Sequence, residues 1–263
     1  MFLPSWKARD TGLVRLTRSL KRAIIPSVSV LLAVIIGAHS GAYAESVTTE
    51  VGGAPWVGFG REDNVFCGAD TAEKVIALTF DDGPHPRYTD MILDILSEYG
   101  IRATFFVVGE NAELYGEQLK RIATEGHEIG NHTYTHCNLK KISRDELLCE
   151  LTETADKIKE VAGVTPRIFR PPEGCCNKKV VDCANSMGYA TVLWTVDPRD
   201  WASPTVSTVV ANIEKNAKCG SIILCHDYNS NKTCPTPEAL RIVIPKLLSE
   251  GYSFVTVSEL LRL

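Results

Sequence analysis

The residue types most able to do chemistry fall in five short clusters: Asp81-Asp82, His132 with His136, Arg170-Pro171-Pro172-Glu173, Asp197 with Asp200-Trp201, and Leu224-Cys225-His226. Two adjacent carboxylates that close an apolar run repel each other, and each loses hydration in a low-dielectric site. A bound cation removes most of that cost by holding one carboxylate ionised, which leaves the other to work as a base or hydrogen-bond acceptor. The same Asp-Asp-Gly-Pro stretch reads equally as a polar turn, since Asp, Gly and Pro all favour turns. Nitrogen ligands and a proton donor elsewhere in the chain decide between the two. Histidines at i and i+4 on a helical turn project to one side and can share a metal. Adding Asp82 gives a two-histidine, one-carboxylate face with open positions, the arrangement of a hydrolytic metal.

Taken singly, the remaining clusters have plain readings. Asp200-Trp201 fits a loop aromatic capping the core, Arg170 a surface cation, and His226 a satisfied core histidine. The prolines after Arg170 fix the backbone there. His39, His85 and His127 have no such neighbours and receive no role.

The elements that must position these groups follow from hydrophobic pattern. Short apolar runs at 74–80, 103–108, 127–131, 167–170, 190–194, 221–225 and 253–257 read as strands. They alternate with helical stretches at 87–99, 112–125, 143–162, 178–187, 203–216 and 237–250, and a short helix is expected near Ser258. Gly100, Gly126, Gly163, Gly188, Gly220 and Gly251 each stand between a helix and the next strand, where glycine ends a helix without a Cβ penalty. Ser143 and Glu146 form a capping box, and Ser203-Pro204 and Thr236-Pro237 each put a hydroxyl before a proline at an expected helix start. The pattern is an α/β fold with about seven parallel strands, either a barrel or an open sheet. In both, strand carboxyl ends carry function, and five of those ends carry the clusters above. No phosphate-binding glycine fingerprint follows the first strand.

The first 44 residues differ in character. Lys7, Arg9, Arg15, Arg18, Lys21 and Arg22 precede an apolar run over 23–38, and Ala42-Tyr43-Ala44 follows, the layout of an export signal cleaved after Ala44 or kept as an anchor. Export to the cell surface or beyond is the expected location. Residues 45–73 read as an extended lead-in to a single catalytic domain at 74–263. Without residues 1–44 the chain holds 22 basic and 31 acidic side chains, a formal charge of −9, which excludes the basic surface that nucleic acid requires. All nine cysteines lie beyond residue 44, and an odd number leaves at least one thiol free in a monomer.

The five clusters, in order, resemble the five motifs of the NodB-type polysaccharide deacetylases, carbohydrate esterase family four, over about residues 74–263. The resemblance implies a deformed (β/α) barrel and one divalent metal, usually zinc and sometimes cobalt or nickel, held by Asp82, His132 and His136. It implies removal of N-acetyl groups from an amino-sugar polymer by attack of a metal-bound water. Asp81 is then the base, oriented by Arg170, and His226 the acid. Asp200 would orient either His226 or Arg170, with Asp197 the second choice. The backbone N–H of Glu173 would face the acetyl oxygen, and Trp201 and Leu224 would wall the acetyl methyl. The family often has Tyr where Glu173 stands, and Cys225 places a thiol beside the acid that could bind metal or oxidise. The expected substrate is peptidoglycan N-acetylglucosamine, acted on by a monomer with no stable protein partner. A chitin-oligosaccharide deacetylase, an O-acetyl esterase of the xylan type and a non-catalytic wall-glycan binder are the alternatives.

Overall fold

The computed structural model of the chain describes residues 60–202, 204–228 and 233–263. The expected export signal and most of the lead-in lie outside the described residues. The strands are β1 (Val65–Phe66), β2 (Val75–Asp81), β3 (Thr104–Val107), β4 (Glu128–Asn131), β5 (Ile168–Phe169), β6 (Ala190–Val192), β7 (Ile222–His226) and β8 (Ser253–Phe254). The helices are α1 (Tyr88–Glu98), α2 (Gly109–Leu114), α3 (Gly116–Thr124), α4 (Arg144–Ala162), α5 (Lys178–Ser186), α6 (Val206–Asn216), α7 (Thr236–Ser249) and α8 (Val257–Leu261).

All paired strands run parallel, in the order β1-β6-β5-β4-β3-β2-β7, with β8 on the first residues of β2. The sheet closes irregularly. Leu193 N–H donates to Phe66 O at 2.7 Å, and two residues later the same segment turns to β7, where Thr195 N–H donates to Ile222 O (3.0 Å) and Leu224 N–H to Val196 O (2.9 Å). That seam makes the barrel a deformed one, as the resemblance implies.

Side-chain alternation along the strands sorts the interior into two faces. Ile76, Leu78 and Phe80 of β2, Phe105 and Val107 of β3, and Ile223 and Cys225 of β7 pack outward against the helices. Ala77, Phe106, Ile222 and Leu224 face the other way and pack with Trp194 and with Val257, Leu260 and Leu261 at the C-terminus. Thr79 and Asp81 share the parity of Ala77, and His226 that of Leu224. On the inner face β2 and β7 bring Asp81 and His226 to their carboxyl ends, while at the opposite end Thr104 and Glu128 bond each other (2.9 Å) and the start of α8.

Several local expectations need correcting. β1 lies within the stretch read as an extended lead-in; two residues are too few to show periodicity. The single helix expected at 112–125 is two, broken at Tyr115, whose backbone (φ −124°, ψ 48°) is non-helical. α6 is capped by Thr205, whose hydroxyl oxygen accepts from Thr208 N–H, so Pro204 stands outside the helix. Thr236 is the first residue of α7 and not its cap. The capping box of Ser143 and Glu146 is present, and all six glycines expected to end helices have positive φ.

Two of these glycines separate conformational from steric cost. Gly163 (φ +72°) faces open space, whereas a Cβ on Gly220 (φ +77°) would lie 1.9 Å from the carbonyl oxygen of Ala69, at the seam that closes the barrel. Gly163→Ala is expected to destabilise by about 1 kcal/mol through backbone conformation alone. Gly220→Ala adds displacement of main chain and should cost about 3 kcal/mol or more. Urea denaturation of the two variants checks the ordering, and equal losses would contradict it.

Candidate active site and metal centre

Asp81 is the last residue of β2, and its neighbour Asp82 leaves the strand in the left-handed region (φ 73°), so the two side chains diverge. The Asp82 carbonyl oxygen is held by Asn111 Nδ2 at 2.7 Å. His132 and His136 follow β4, but not on a helical turn. Thr133 (φ 67°) and His136 (φ 52°) are left-handed, which rules out a helix and corrects that expectation. The loop is held from outside: Asn131 Oδ1 accepts from Thr133 N–H, and Glu150 of α4 accepts from the N–H groups of Tyr134 and Thr135 and from the Thr135 hydroxyl.

The loop brings both imidazoles to one oxygen. Nε2 of His132 and of His136 lie 3.3 and 3.2 Å from Asp82 Oδ1, and this oxygen is buried with no hydrogen-bond partner of acceptable geometry. His132 Nδ1 sits 2.7 Å from the carbonyl oxygen of Arg170, to which it donates, leaving a lone pair on Nε2. Three ligand atoms, one from each of Asp82, His132 and His136, lie within 4.8 Å of one another. This donor set fits a divalent cation of the zinc, cobalt or nickel type. Burial raises the Asp82 carboxyl, but the two imidazoles outweigh it and hold it below the usual carboxylate range. Contact with Asp82 raises His136 against its own burial.

Arg170 is fully buried inside the barrel. Its guanidinium donates to Asp81 Oδ1 (2.7 Å), Thr79 Oγ1 (2.8 Å), Leu193 O (3.0 Å) and Val192 O (3.3 Å), and lies 4.1 Å above the Phe106 ring. Burial lowers its pKa, and Asp81 acts in the opposite direction. The other Asp81 oxygen is 3.8 Å from His132 Nε2.

His226 stands beside Asp81 in the β2–β7 register. Asp200 takes its ring Nδ1 and its backbone N–H, both at 2.8 Å, and also accepts from Trp201 N–H and the Thr236 hydroxyl. The partner of Asp200 is thus His226, not Arg170. Burial works against a charged His226 ring, yet Asp200 outweighs it and pushes the pKa up to about 10. Asp197 is bound to the N–H of Arg199 instead, and burial raises its pKa.

The other expected residues divide. Leu224 is buried on the inner face. Trp201 is 46% exposed, so it does not cap the core. Glu173 has an exposed side chain and a left-handed backbone (φ 54°), followed by Gly174 at φ 62°. Cys225 points to the outer face, fully buried, with its thiol pKa raised by desolvation; the geometry keeps it out of the metal centre. All nine cysteines are unbonded.

Sequence reasoning missed Thr79, Asn111, Asn131, Glu150 and Thr236, which hold functional groups from elsewhere in the chain. It also missed Asp227, a buried carboxyl pushed up to about 7 by desolvation, whose Oδ2 accepts from the Thr89 hydroxyl at 2.6 Å. A Cβ on Gly83 would lie 2.1 Å from this oxygen, which explains the glycine after Asp82. Only the Asp-Asp-Gly pattern itself could have hinted at such a close approach.

A family model described as polysaccharide deacetylase matches residues 68–192. A peptidoglycan-N-acetylglucosamine deacetylase of Bacillus cereus is 45% identical over 192 residues, covering 72% of this chain and 89% of that protein. The chain belongs to the polysaccharide deacetylase family. It is a hydrolase of the NodB type, carbohydrate esterase family four, whose members work with a divalent metal. Among solved structures, the Bc1960 peptidoglycan N-acetylglucosamine deacetylase in complex with 4-naphthalen-1-yl-N-oxidanyl-benzamide superposes with a TM-score of 0.74 at 36% identity, covering 76% of this chain and 94% of that one. A family 4 acetyl xylan esterase from Clostridium thermocellum, in complex with cobalt, gives 0.66 at 36% identity, over 71% of this chain and 90% of that one.

The His226–Asp200 pair has a pH consequence. Because the folded-state pKa is raised, the pair's contribution to stability is complete below the unfolded value near 6.5 and is lost as pH rises through about 10. In metal-free protein, Asp200→Asn should bring the His226 titration down toward 6.5 by NMR and flatten the fall in stability over that window. An unchanged titration would show that Asp200 does not set it.

Proposed function

We propose that the protein removes N-acetyl groups from peptidoglycan N-acetylglucosamine outside the cytoplasm. The observation that carries the reading is a convergent set of metal ligands next to a carboxylate held by a buried arginine and a histidine that keeps its proton at neutral pH. Asp82, His132 and His136 would hold the cation, zinc first among candidates, with cobalt and nickel suiting the same donors. When bound, it supplies Lewis acidity toward the acetyl carbonyl and the attacking water.

The chain's own groups account for the proton transfers. Asp81 takes the proton from the attacking water, and Arg170 fixes which of its oxygens is free to do so. An amine is a poor leaving group, so the nitrogen must be protonated as the C–N bond breaks. His226 carries that proton, held by Asp200 through Nδ1, which leaves Nε2–H to donate. The backbone N–H of Glu173 is the proposed donor to charge building on the acetyl oxygen, since the next two N–H groups are taken, Gly174 by Pro171 O (2.9 Å) and Cys175 by Pro172 O (3.0 Å). Trp201 and Leu224 are the proposed walls for the acetyl methyl.

Likeness to the Bacillus cereus deacetylase supports the peptidoglycan substrate. The basic leader and apolar run at the start of the chain support export, which would put the enzyme where that glycan is. Likeness to the acetyl xylan esterase supports a second reading, hydrolysis of O-acetyl esters by the same machinery.

Mass spectrometry of peptidoglycan fragments incubated with zinc-loaded protein should show acetyl loss from N-acetylglucosamine. Asp81→Asn should lower the rate by about 10²–10⁴-fold. His226→Ala should lose far more activity on amides than on acetate esters, whose leaving group needs less protonation. No acetyl loss from any glycan with zinc, cobalt or nickel would end the reading.

A further inference from the structure

His85, Tyr88, Tyr115 and Tyr228 make an aromatic cluster that the proposed chemistry does not use. The His85 ring stacks on Tyr88 with centroids 4.6 Å apart, meets Tyr228 edge-on at 5.3 Å and lies 6.4 Å from Tyr115. Tyr88 is buried, whereas His85, Tyr115 and Tyr228 are half-buried. Among the described residues, the hydroxyls of Tyr115 and Tyr228 have no hydrogen-bond partner. His85 Nδ1 accepts from the N–H groups of Arg87 and Tyr88, both at 3.1 Å, so the ring carries its proton on Nε2. Capping α1 accounts for the His85–Tyr88 stack. It does not account for two half-exposed tyrosines gathered at its edge.

The cluster is tied to the metal centre by short covalent and hydrogen-bonded links. His85 is three residues after Asp82, and Tyr228 two after His226. Tyr115 N–H donates to Asn111 O at 2.8 Å, and the Asn111 side chain holds the Asp82 carbonyl. His85 and Tyr228 follow the carboxyl ends of β2 and β7, and Tyr115 follows α2, the helix after β3. A polymer lying across that end of the barrel, with one acetylated sugar at the cation, would carry its more distant sugars past these rings.

We propose that Tyr115 and Tyr228, set around His85, form a stacking platform for a sugar of the substrate strand beyond the immediate neighbour of the one that loses its acetyl group. A pyranose has an apolar C–H face and a rim of hydroxyls, so it is matched by aromatic rings that keep unpaired polar groups at their edges. The Tyr115 and Tyr228 hydroxyls and His85 Nε2–H supply those groups. The platform rests on the deacetylase reading, and it makes the enzyme sensitive to chain length.

The test compares Tyr115→Ala/Tyr228→Ala with the wild type on N-acetylglucosamine dimer and hexamer, zinc-loaded, following acetate release. Loss of two stacking rings should raise KM for the hexamer about tenfold. kcat on the hexamer and both constants on the dimer should stay within about twofold, since no ring touches the reacting amide. The Phe double variant keeps the stacking and should retain most hexamer affinity. Equal KM for wild type and Ala variant on the hexamer, or an equal loss on dimer and hexamer, would overturn the platform while leaving the deacetylase reading intact. Calorimetric binding of the hexamer to Asp81→Asn, with and without the two Ala substitutions, reads the platform independently of turnover. Equal affinities there would also overturn it.

Discussion

The arrangement depends on one buried ion pair, Arg170 with Asp81. A guanidinium enclosed in a barrel costs several kcal/mol in lost hydration unless its donors are met. Here they are met by a carboxylate, a hydroxyl and two carbonyls, and its flat face is met by the Phe106 ring. The carbonyl oxygen of the same residue fixes the tautomer of His132. Arg170 thus sets both the orientation of the proposed base and the availability of one ligand nitrogen. Strand alternation makes this possible, because β2 puts Thr79 and Asp81 on the inner face while its apolar residues face the helices. A lysine in its place would be one point charge and could not span β2 and the segment after β6 with a fixed fork.

Backbone strain is concentrated where this network meets the metal centre. Of the seven non-glycine residues with positive φ among the described residues, Asp82, Thr133, His136, Glu173 and Arg199 lie in the loops that carry the site. Such conformations cost of order 1–3 kcal/mol each and persist only where surroundings enforce them. Asn111, Asn131 and Glu150 do the enforcing, by accepting or donating to the backbone at the strained turns.

The sequence made the scaffold legible where signals were local and repeated. Six glycines marking helix ends, a capping box and seven apolar runs each reflect backbone conformation within a few residues. Site residues were legible by type, because few other reasons place Asp-Asp, two histidines and Arg-Pro-Pro at strand ends. What stayed hidden depends on contacts across the chain. Nothing near Thr236 shows that its hydroxyl serves Asp200 rather than a helix cap, and nothing near Asp200 decides between His226 and Arg170. The histidine spacing suggested a helical turn because i, i+4 is helical geometry; Glu150, from a helix further along the chain, holds a different loop with the same spacing.

The proposed base and acid are built differently, and the difference bears on what the family can vary. The base side is enclosed and over-determined: Asp81 and Arg170 are almost wholly buried, they pair with each other, and the guanidinium is also held by the Thr79 hydroxyl and two main-chain carbonyls. The acid side is at the rim, where His226 depends on a single carboxylate carried by a short 3-10 turn with a half-exposed Trp201, braced by the first residue of α7. Amide hydrolysis needs leaving-group protonation much more than ester hydrolysis does. With His226 as the proposed acid, small shifts on that side would change which acyl bond is favoured without disturbing the interior. The barrel is similar to both a peptidoglycan deacetylase and an acetyl xylan esterase, and on the proposed roles leaving-group selection would fall to the loops that carry Asp200 and Trp201.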